Sequence, residues 1–251
     1  MRKNRMRLKD LPVGSIITDK KTRFNNKPID WLVADHEKYP DGTVLLSKDI
    51  LCCRPFDSPK ECDEDEYRKK YGSNRWKHSD IREWLNNEFL GKSFSGRLAG
   101  LIIPVFNTTE LSRYDSEFFE SGYVVDRTEE MVFLLSDAET GYSRNIKALE
   151  LFKGNNKEKY LKAEVCPRLT WYWWLRSPYG GFSYSASIVN ADGSLDYGCA
   201  CGGNNGVRPA CVISDFASVK KRKNGGYKFN WKEATGRKGP WCGALKQEGK
   251  E

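Results

Sequence analysis

Between Trp171 and Val212 the chain reads WYWWLRSPYGGFSYSASIVNADGSLDYGCACGGNNGVRPACV, and this stretch limits the possible folds more than any other. Two stiff flanks, Trp173–Pro178 and Gly206–Ala210, enclose an interior, Tyr179–Asn205, of small residues, Tyr, Phe, Asn and Cys. In the flanks, Trp173 and Trp174 can bury large areas, Pro178 and Pro209 fix backbone angles, and Arg176 and Arg208 offer planar five-donor forks. The flanks predict a scaffold of Trp173, Trp174, Arg176 and Arg208; the sharper reading makes the two arginines ligand-binding groups. The interior predicts an exposed, adaptable surface, which points to recognition before catalysis.

The interior contains no Lys, Glu, Gln, Met, Trp or Arg, although 30% of the whole chain is charged. Exposed Gly-rich loops avoid large apolar residues, but they have no physical reason to avoid Lys and Glu. A genetic reason exists. When the adenines of AAC or AAT codons are randomised and the third base stays a pyrimidine, Asn, Tyr, Ser, Gly, Ala, Cys, Asp and Phe are accessible. Lys, Glu, Gln, Met and Trp are not. The same residue set suits a paratope, where Tyr supplies contact area at low entropy cost and Ser, Gly and Asn supply adaptable hydrogen bonds. The plainer alternative is a Gly/Ser/Asn loop with a chance deficit. Tyr179, Phe182, Tyr184, Tyr197, Cys199 and Cys201 stand where simple loops seldom place such residues.

A chain of 251 residues can bury a core without covalent staples. No apolar run approaches a bilayer span. The basic start MRKNRMRLKD is not followed by an apolar segment, which excludes an ordinary secretory signal and predicts a cytoplasmic location. The net charge of +8 sits at the ends. Residues 1–9 carry five basic groups and no acid, and residues 220–251 carry ten basic and three acidic groups. The body between them is slightly acidic, so it is not expected to bind nucleic acid. The ends are expected to make no more than weak, nonspecific contact with polyanions. Among the eight cysteines none forms a C-x-x-C pair, and neither His36 nor His78 lies at metal-ligand spacing from one. No metal site and no cofactor are expected, and the thiols are expected to be free, with disulfides left open.

Along the chain, residues 30–47 read as a hairpin around Asp41-Gly42. Residues 56–72 are highly charged and aperiodic and read as a loop. Ser79 caps the clearest helix, whose stripe is Ile81, Trp84, Leu85 and Phe89. A shorter helix is predicted over 95–102. A strand over 129–135 is predicted with Met131, Phe133 and Leu135 on one side. Residues 136–139 are predicted to start a short helix, and 157–163 to form another. Strands are predicted over 171–175, 185–189 and 207–213. Strands at both ends with helices between them give an α+β class.

The motifs W-W-L-R-S-P (Trp173–Pro178), V-N-x-D-G-x-L (Val189–Leu195) and G-V-R-P-A (Gly206–Ala210) resemble a bacterial and prophage domain family of unknown function. Trp31–Val33, Leu46–Asp49, Ser79–Asn86 and Val132–Ser136 fit the same pattern. Members resemble the variable proteins of diversity-generating retroelements, in which a reverse transcriptase copies a template with adenine-directed errors into the target gene. The resemblance implies a C-type-lectin-like fold with short helices, twisted antiparallel strands and long loops, related to that of formylglycine-generating enzyme. It implies a ligand-binding domain over 8–215, with a variable region at about 171–212, between basic extensions 1–7 and 216–251. Tyr227, Phe229, Trp231 and Trp241 suggest that part of the second extension packs.

The implied variable residues are Tyr179, Gly181, Phe182, Ser183, Tyr184, Ser185, Asp196, Tyr197, Cys199, Ala200, Cys201, Gly202, Gly203 and Asn204. Val189, Asn190, Asp192, Gly193 and Leu195 would be fixed scaffold. The expected function is display of a surface for a protein or glycan ligand, without enzymatic activity. One alternative is an interaction domain of constant specificity. Another is a copper-dependent cysteine oxidase, by analogy with the related enzyme fold, for which Cys199 and Cys201 are the closely spaced candidates.

Overall fold

The computed structural model describes residues 6–94, 96–111, 125–142, 147–223 and 225–230. Strand β1 (Ile16–Phe24) runs antiparallel to β2 (Lys27–Tyr39), and β2 to β3 (Gly42–Ser47). The expected hairpin forms, but its two-residue turn is Pro40-Asp41, with Asp41 at φ 56°, and Gly42 opens β3 opposite Tyr39. The short β4 (Cys52–Cys53) follows. A helical region then holds α1 (Glu66–Tyr71), α2 (Asp80–Trp84), α3 (Leu90–Ser93) and α4 (Gly96–Ala99). Strands β5 (Val105–Glu110) and β6 (Val125–Glu130) form a separate hairpin, and β7 (Val132–Phe133) comes next. Helix α5 (Lys157–Leu161) precedes the small pair β8 (Ala163–Cys166) and β9 (Leu169–Trp171). The last strands are β10 (Trp173–Pro178), β11 (Ser185–Val189), β12 (Leu195–Cys199), β13 (Gly206–Val207), β14 (Ala210–Ser214), β15 (Val219–Lys221) and β16 (Tyr227–Phe229).

Two larger sheets organise these strands. One has the order β15-β16-β1-β2-β3-β14-β7, the other β12-β11-β10-β13-β4. Pairing is antiparallel except between β1 and β16 and between β10 and β13. The architecture is α+β, with short helices and mixed sheets. No helix among the described residues is long and apolar enough to cross a membrane.

The two sheets are joined where the chain passes from one to the other twice, side by side. Ser47 to Cys52 leads from β3 to β4, and Val207 to Ala210 leads from β13 to β14. The backbone N–H of Leu51 donates to the Val207 carbonyl at 2.9 Å, and that of Ser47 to the Pro209 carbonyl at 2.9 Å. The Gly-Val-Arg-Pro-Ala motif is therefore the strap between sheets. Its Pro209 stands where the chain turns and no ladder donor is needed.

Several expectations need correction. Residues 56–72 are not all loop, because α1 lies within them. Asp65 caps it, its carboxylate accepting from the N–H of Tyr67 at 2.7 Å and Arg68 at 3.2 Å. The strand over 129–135 is interrupted at Met131. The Asn86 side chain accepts from Met131 N–H at 2.9 Å and Val132 N–H at 3.2 Å, replacing ladder partners there. Val132 to Leu135 are then all buried instead of alternating. At 136–139 the capping signal is present: Ser136 N–H donates to Glu139 at 2.8 Å and Glu139 N–H to Ser136 Oγ at 3.1 Å. It closes turns over 137–141 that stop at Gly141, whose φ of 78° ends any helical run. The Ser79-capped helix has its predicted buried stripe but opens into a π-helical turn over Leu85–Phe89.

The segment after residue 215 does not simply trail the domain. Val219 and Phe229 are buried, and β15 and β16 extend the first sheet beside β1. Arg7 forms an isolated bridge with Ser218, so part of each predicted extension joins the fold. Residues 1–5 and 231–251, with Trp231, Trp241 and half of the basic residues of the tail, lie outside the described residues, as does Ser95 at the start of the predicted 95–102 helix.

Candidate functional site

Strand β10 is central in its sheet, flanked by β11 and β13, and is buried on both faces. This explains its near-continuous run of large residues. Trp173 Nε1 donates to the Leu161 carbonyl at 2.8 Å, and Trp174 Nε1 to the Arg54 carbonyl at 2.9 Å. Arg176 forks onto Glu139 at 2.5 and 2.9 Å and onto the Leu134 carbonyl at 2.7 Å. Arg208 lies over the Trp173 ring, its Cζ 4.9 Å from the centroid, and donates to the carbonyls of Ser47 at 2.9 Å and Tyr160 at 2.6 Å. Both guanidinium groups are buried, and every acceptor just named belongs to the frame.

The exposed edge of this sheet is built from two pieces. The first is the loop Tyr179–Tyr184. Asn74, almost fully buried, holds it from below: its N–H donates to the Ser183 carbonyl at 2.8 Å, and its Nδ2 to the carbonyls of Phe182 at 2.8 Å and Ser185 at 2.9 Å. The second is the hairpin β11–β12. Its turn is the Asn-x-Asp-Gly-x-Leu motif, in which Gly193 has φ 91° and the Asp192 carboxylate accepts from Ser194 N–H at 2.9 Å. Those bonds hold the Asp192 carboxyl below its ordinary pKa. The register pairs Ser185 with Cys199 and Ser187 with Tyr197, which returns β12 alongside the Tyr179 loop.

Together the pieces make a continuous row of rings. Tyr197 stacks on Tyr179 with centroids 3.9 Å apart. Tyr179 meets Phe182 at 6.0 Å, and Phe182 stacks on Tyr184 at 5.3 Å. Tyr184 in turn lies 5.7 Å from Tyr67 and 5.0 Å from Tyr71, both on α1. Phe182, Tyr197 and Tyr67 are 44%, 43% and 58% exposed. Ring pairs of this kind stabilise by about 0.5–1.5 kcal/mol each, enough to orient the row without burying it.

The row ends at a turn that carries two thiols. Gly202 N–H closes it onto the Cys199 carbonyl at 2.8 Å, and Cys201 N–H donates to the Tyr71 carbonyl at 3.1 Å. Cys199 and Cys201 are half-buried, with their Sγ atoms 3.3 Å apart. Burial, followed by the hydrogen bond to Cys199, pushes the Cys201 thiol up. Past the turn, Gly203 and Asn204 are exposed beside a cleft of about 390 Å³ lined by Arg54, Pro55, Asp80, Glu83 and Trp84.

Tyr179, Phe182, Tyr184, Tyr197, Cys199 and Cys201 thus share one surface. Gly181 lies under the Tyr179 ring, Ser183 is half-buried in the same loop, Asp196 is exposed on β12, and Gly202 closes the turn. Two expected surface positions are not on the surface: Ser185 is 3% exposed and Ala200 fully buried. Ser185 is a central-strand residue, and Ala200 packs inward while its backbone bonds Tyr184, Phe56 and Asp57. In the opposite sense, Leu195, expected as scaffold, is exposed on the edge strand. Tyr67, Tyr71 and Asn74 were not singled out in the sequence. The cap Asp65 and the i, i+4 spacing of the two tyrosines were the available signals for α1; nothing local marks Asn74.

The family model described as Domain of unknown function (DUF6273) matches residues 41–215. No curated protein and no solved structure matches the chain.

Proposed function

This chain belongs to the DUF6273 family, and on that premise we propose that it is a ligand-binding module presenting a diversified aromatic face on a constant frame. The observation that carries this reading is the ring row itself: five of its six members are exposed or half-buried tyrosines, and one is an exposed phenylalanine. Tyrosines dominate affinity in such surfaces because each offers a large rigid area and a hydroxyl at small entropic cost. The ligand is a protein or glycan surface that the row can lie against, with Asp196 and the loop backbone supplying polar contacts. Adenine-directed mutagenesis of the codons for the exposed residues is the source of diversity, the frame is C-type-lectin-like, and the module acts by binding and not by catalysis.

The test is the DNA around the gene. The reading expects a near-copy of the segment encoding residues 171–212, differing at adenines in the codons of Tyr179, Phe182, Tyr184, Tyr197 and Cys199, close to a reverse-transcriptase gene. Codon differences scattered over frame and face alike would sink it.

A second reading, a module with one constant ligand, is favoured by Gly181. A Cβ there would approach the Tyr179 ring to 2.4 Å, so the stacking of Tyr179 on Tyr197 suits this residue set. Sequences of close relatives separate the two readings: under constant specificity Gly181, Tyr179 and Tyr197 stay together.

A further inference from the structure

We propose that Cys199 and Cys201 are a redox dithiol, oxidised to an intramolecular disulfide by a small-molecule disulfide such as oxidised glutathione. The proposal stands on the turn that carries them and holds whatever the neighbouring face binds.

The backbone of this turn is pinned on every side. Ala200 N–H donates to the Tyr184 carbonyl at 2.8 Å, and the Ala200 carbonyl accepts from Phe56 N–H at 2.8 Å and Asp57 N–H at 3.1 Å. Cys201 N–H is held by Tyr71 and Gly202 N–H by Cys199, as above. With the intervening Ala200 fixed inward, the two thiols come to 3.3 Å. A disulfide bond is about 2.05 Å long, so its formation needs a closing movement of roughly 1 Å, within reach of side-chain rotation. Both sulfurs are half-buried, which leaves access for a tripeptide disulfide. No other pair of thiols is in hydrogen-bond contact among the described residues. Cys211 is buried, and burial pushes its thiol up strongly; Cys52 is pushed up to about 11 by burial.

The chemistry balances with glutathione as the oxidant. Attack begins at one of the two half-buried thiols, here Cys199, after its proton passes to solvent. A new bond forms between Cys199 Sγ and one glutathione sulfur, the glutathione S–S bond breaks, and one glutathione thiolate leaves and takes up a proton. Cys201 then loses its proton and attacks Cys199 Sγ, expelling the second glutathione thiolate, which is protonated in turn. The protein gives up two electrons and two protons; one oxidised glutathione becomes two reduced ones.

The full chain is equilibrated in buffers of increasing oxidised-to-reduced glutathione ratio, quenched with N-ethylmaleimide under denaturing conditions, and digested with trypsin. The peptide Ser177–Lys220, uncut at Arg208-Pro209, holds Cys199, Cys201 and Cys211. As the ratio rises, its three maleimides should fall to one, with the loss of two hydrogens and the remaining label on Cys211. Cys201→Ser and Cys199→Ser should each lose the two-hydrogen product and stop at a glutathione adduct on the remaining thiol of the pair. Near-UV circular dichroism of both variants checks that the tyrosine row is intact. Three maleimides at every ratio, a bond to Cys211, or the two-hydrogen loss persisting in either variant would each overturn the proposal.

Discussion

The frame around Trp173, Arg176 and Arg208 adjoins the face that runs from Tyr197 at the edge of the second sheet to Tyr67 on α1, yet the two are held by different forces. Frame side chains end on buried backbone carbonyls and a buried carboxylate. Removing one of them strands a partner that water cannot reach. The rings of the face rest on one another, and their outer sides meet solvent. A ring removed there is replaced by water at little cost. The difference teaches where identity can change: at positions whose partners are other replaceable side chains, and not where the partner is the main chain.

The strongest attempt to break this contrast is Arg176→Leu. It leaves the buried Glu139 with Lys38 as its remaining cation and takes the Arg176 donor from the Leu134 carbonyl, and should cost about 3 kcal/mol of stability in urea denaturation. An effect under 1 kcal/mol would mean that the frame is not held as described. Asn74→Ala should cost about 1–3 kcal/mol, since two buried hydrogen bonds, to the carbonyls of Phe182 and Ser185, are lost. It should also flatten the near-UV dichroism of the tyrosine row, joining frame and face in one variant.

Two glycines near the strap give a finer comparison. At Gly206 a Cβ would meet the Tyr172 carbonyl at 2.8 Å and Ile50 at 2.6 Å, whereas at Gly203 the nearest atom is Pro55 Cδ at 3.9 Å. Gly206→Ala should therefore cost about 1–3 kcal/mol, and Gly203→Ala should stay within about 0.5 kcal/mol of the parent. For the face, Tyr179→Ser and Tyr197→Ser should each lower stability only modestly. Their double-mutant cycle should return a coupling of about 0.5–1.5 kcal/mol. A larger coupling would show the row to be a packed core.

The smallest effect is titration. Asp126 is desolvated, which alone would raise its pKa, but the Arg75 fork at 2.7 and 3.0 Å and its charge prevail and hold it below the ordinary value. Asp80 behaves likewise against Lys60 and the Ser58 N–H. A depressed carboxylate contributes stability that is present above its unfolded pKa and lost as pH falls through its folded one. The urea midpoint should therefore decline below about pH 4.

Much of the frame was legible in the sequence because its signals are local. Asp41 fixes a turn by backbone angle, Ser79 fixes a helix start by one hydrogen bond, and a doubly buried strand must read as Trp173-Trp174-Leu175. The tyrosines of the interior were legible as a composition, though not as a row. What could not be read depended on partners far along the chain. Asn86 breaks a strand some 45 positions away, and Asn74 supports a loop more than a hundred positions away. Ser185 and Ala200 share the small size of their exposed neighbours, so only the sheet order and the Phe56 contact reveal that they face inward. Tyr67 and Tyr71 were hidden because charged neighbours mask a helix of six residues.

The double crossing beneath Arg208 has a consequence for synthesis. Strand β14 sits between β3 and β7, so the first sheet cannot be completed until the ribosome has passed Ser214, well after every codon of the face has been read. A chain released early, by a stop codon or a shifted frame between Tyr179 and Asn205, leaves β3 and β7 as open edges and its strap unmade. Such products carry the unpaired strand edges that invite aggregation, and a chain whose first sheet closes has been translated past Ser214.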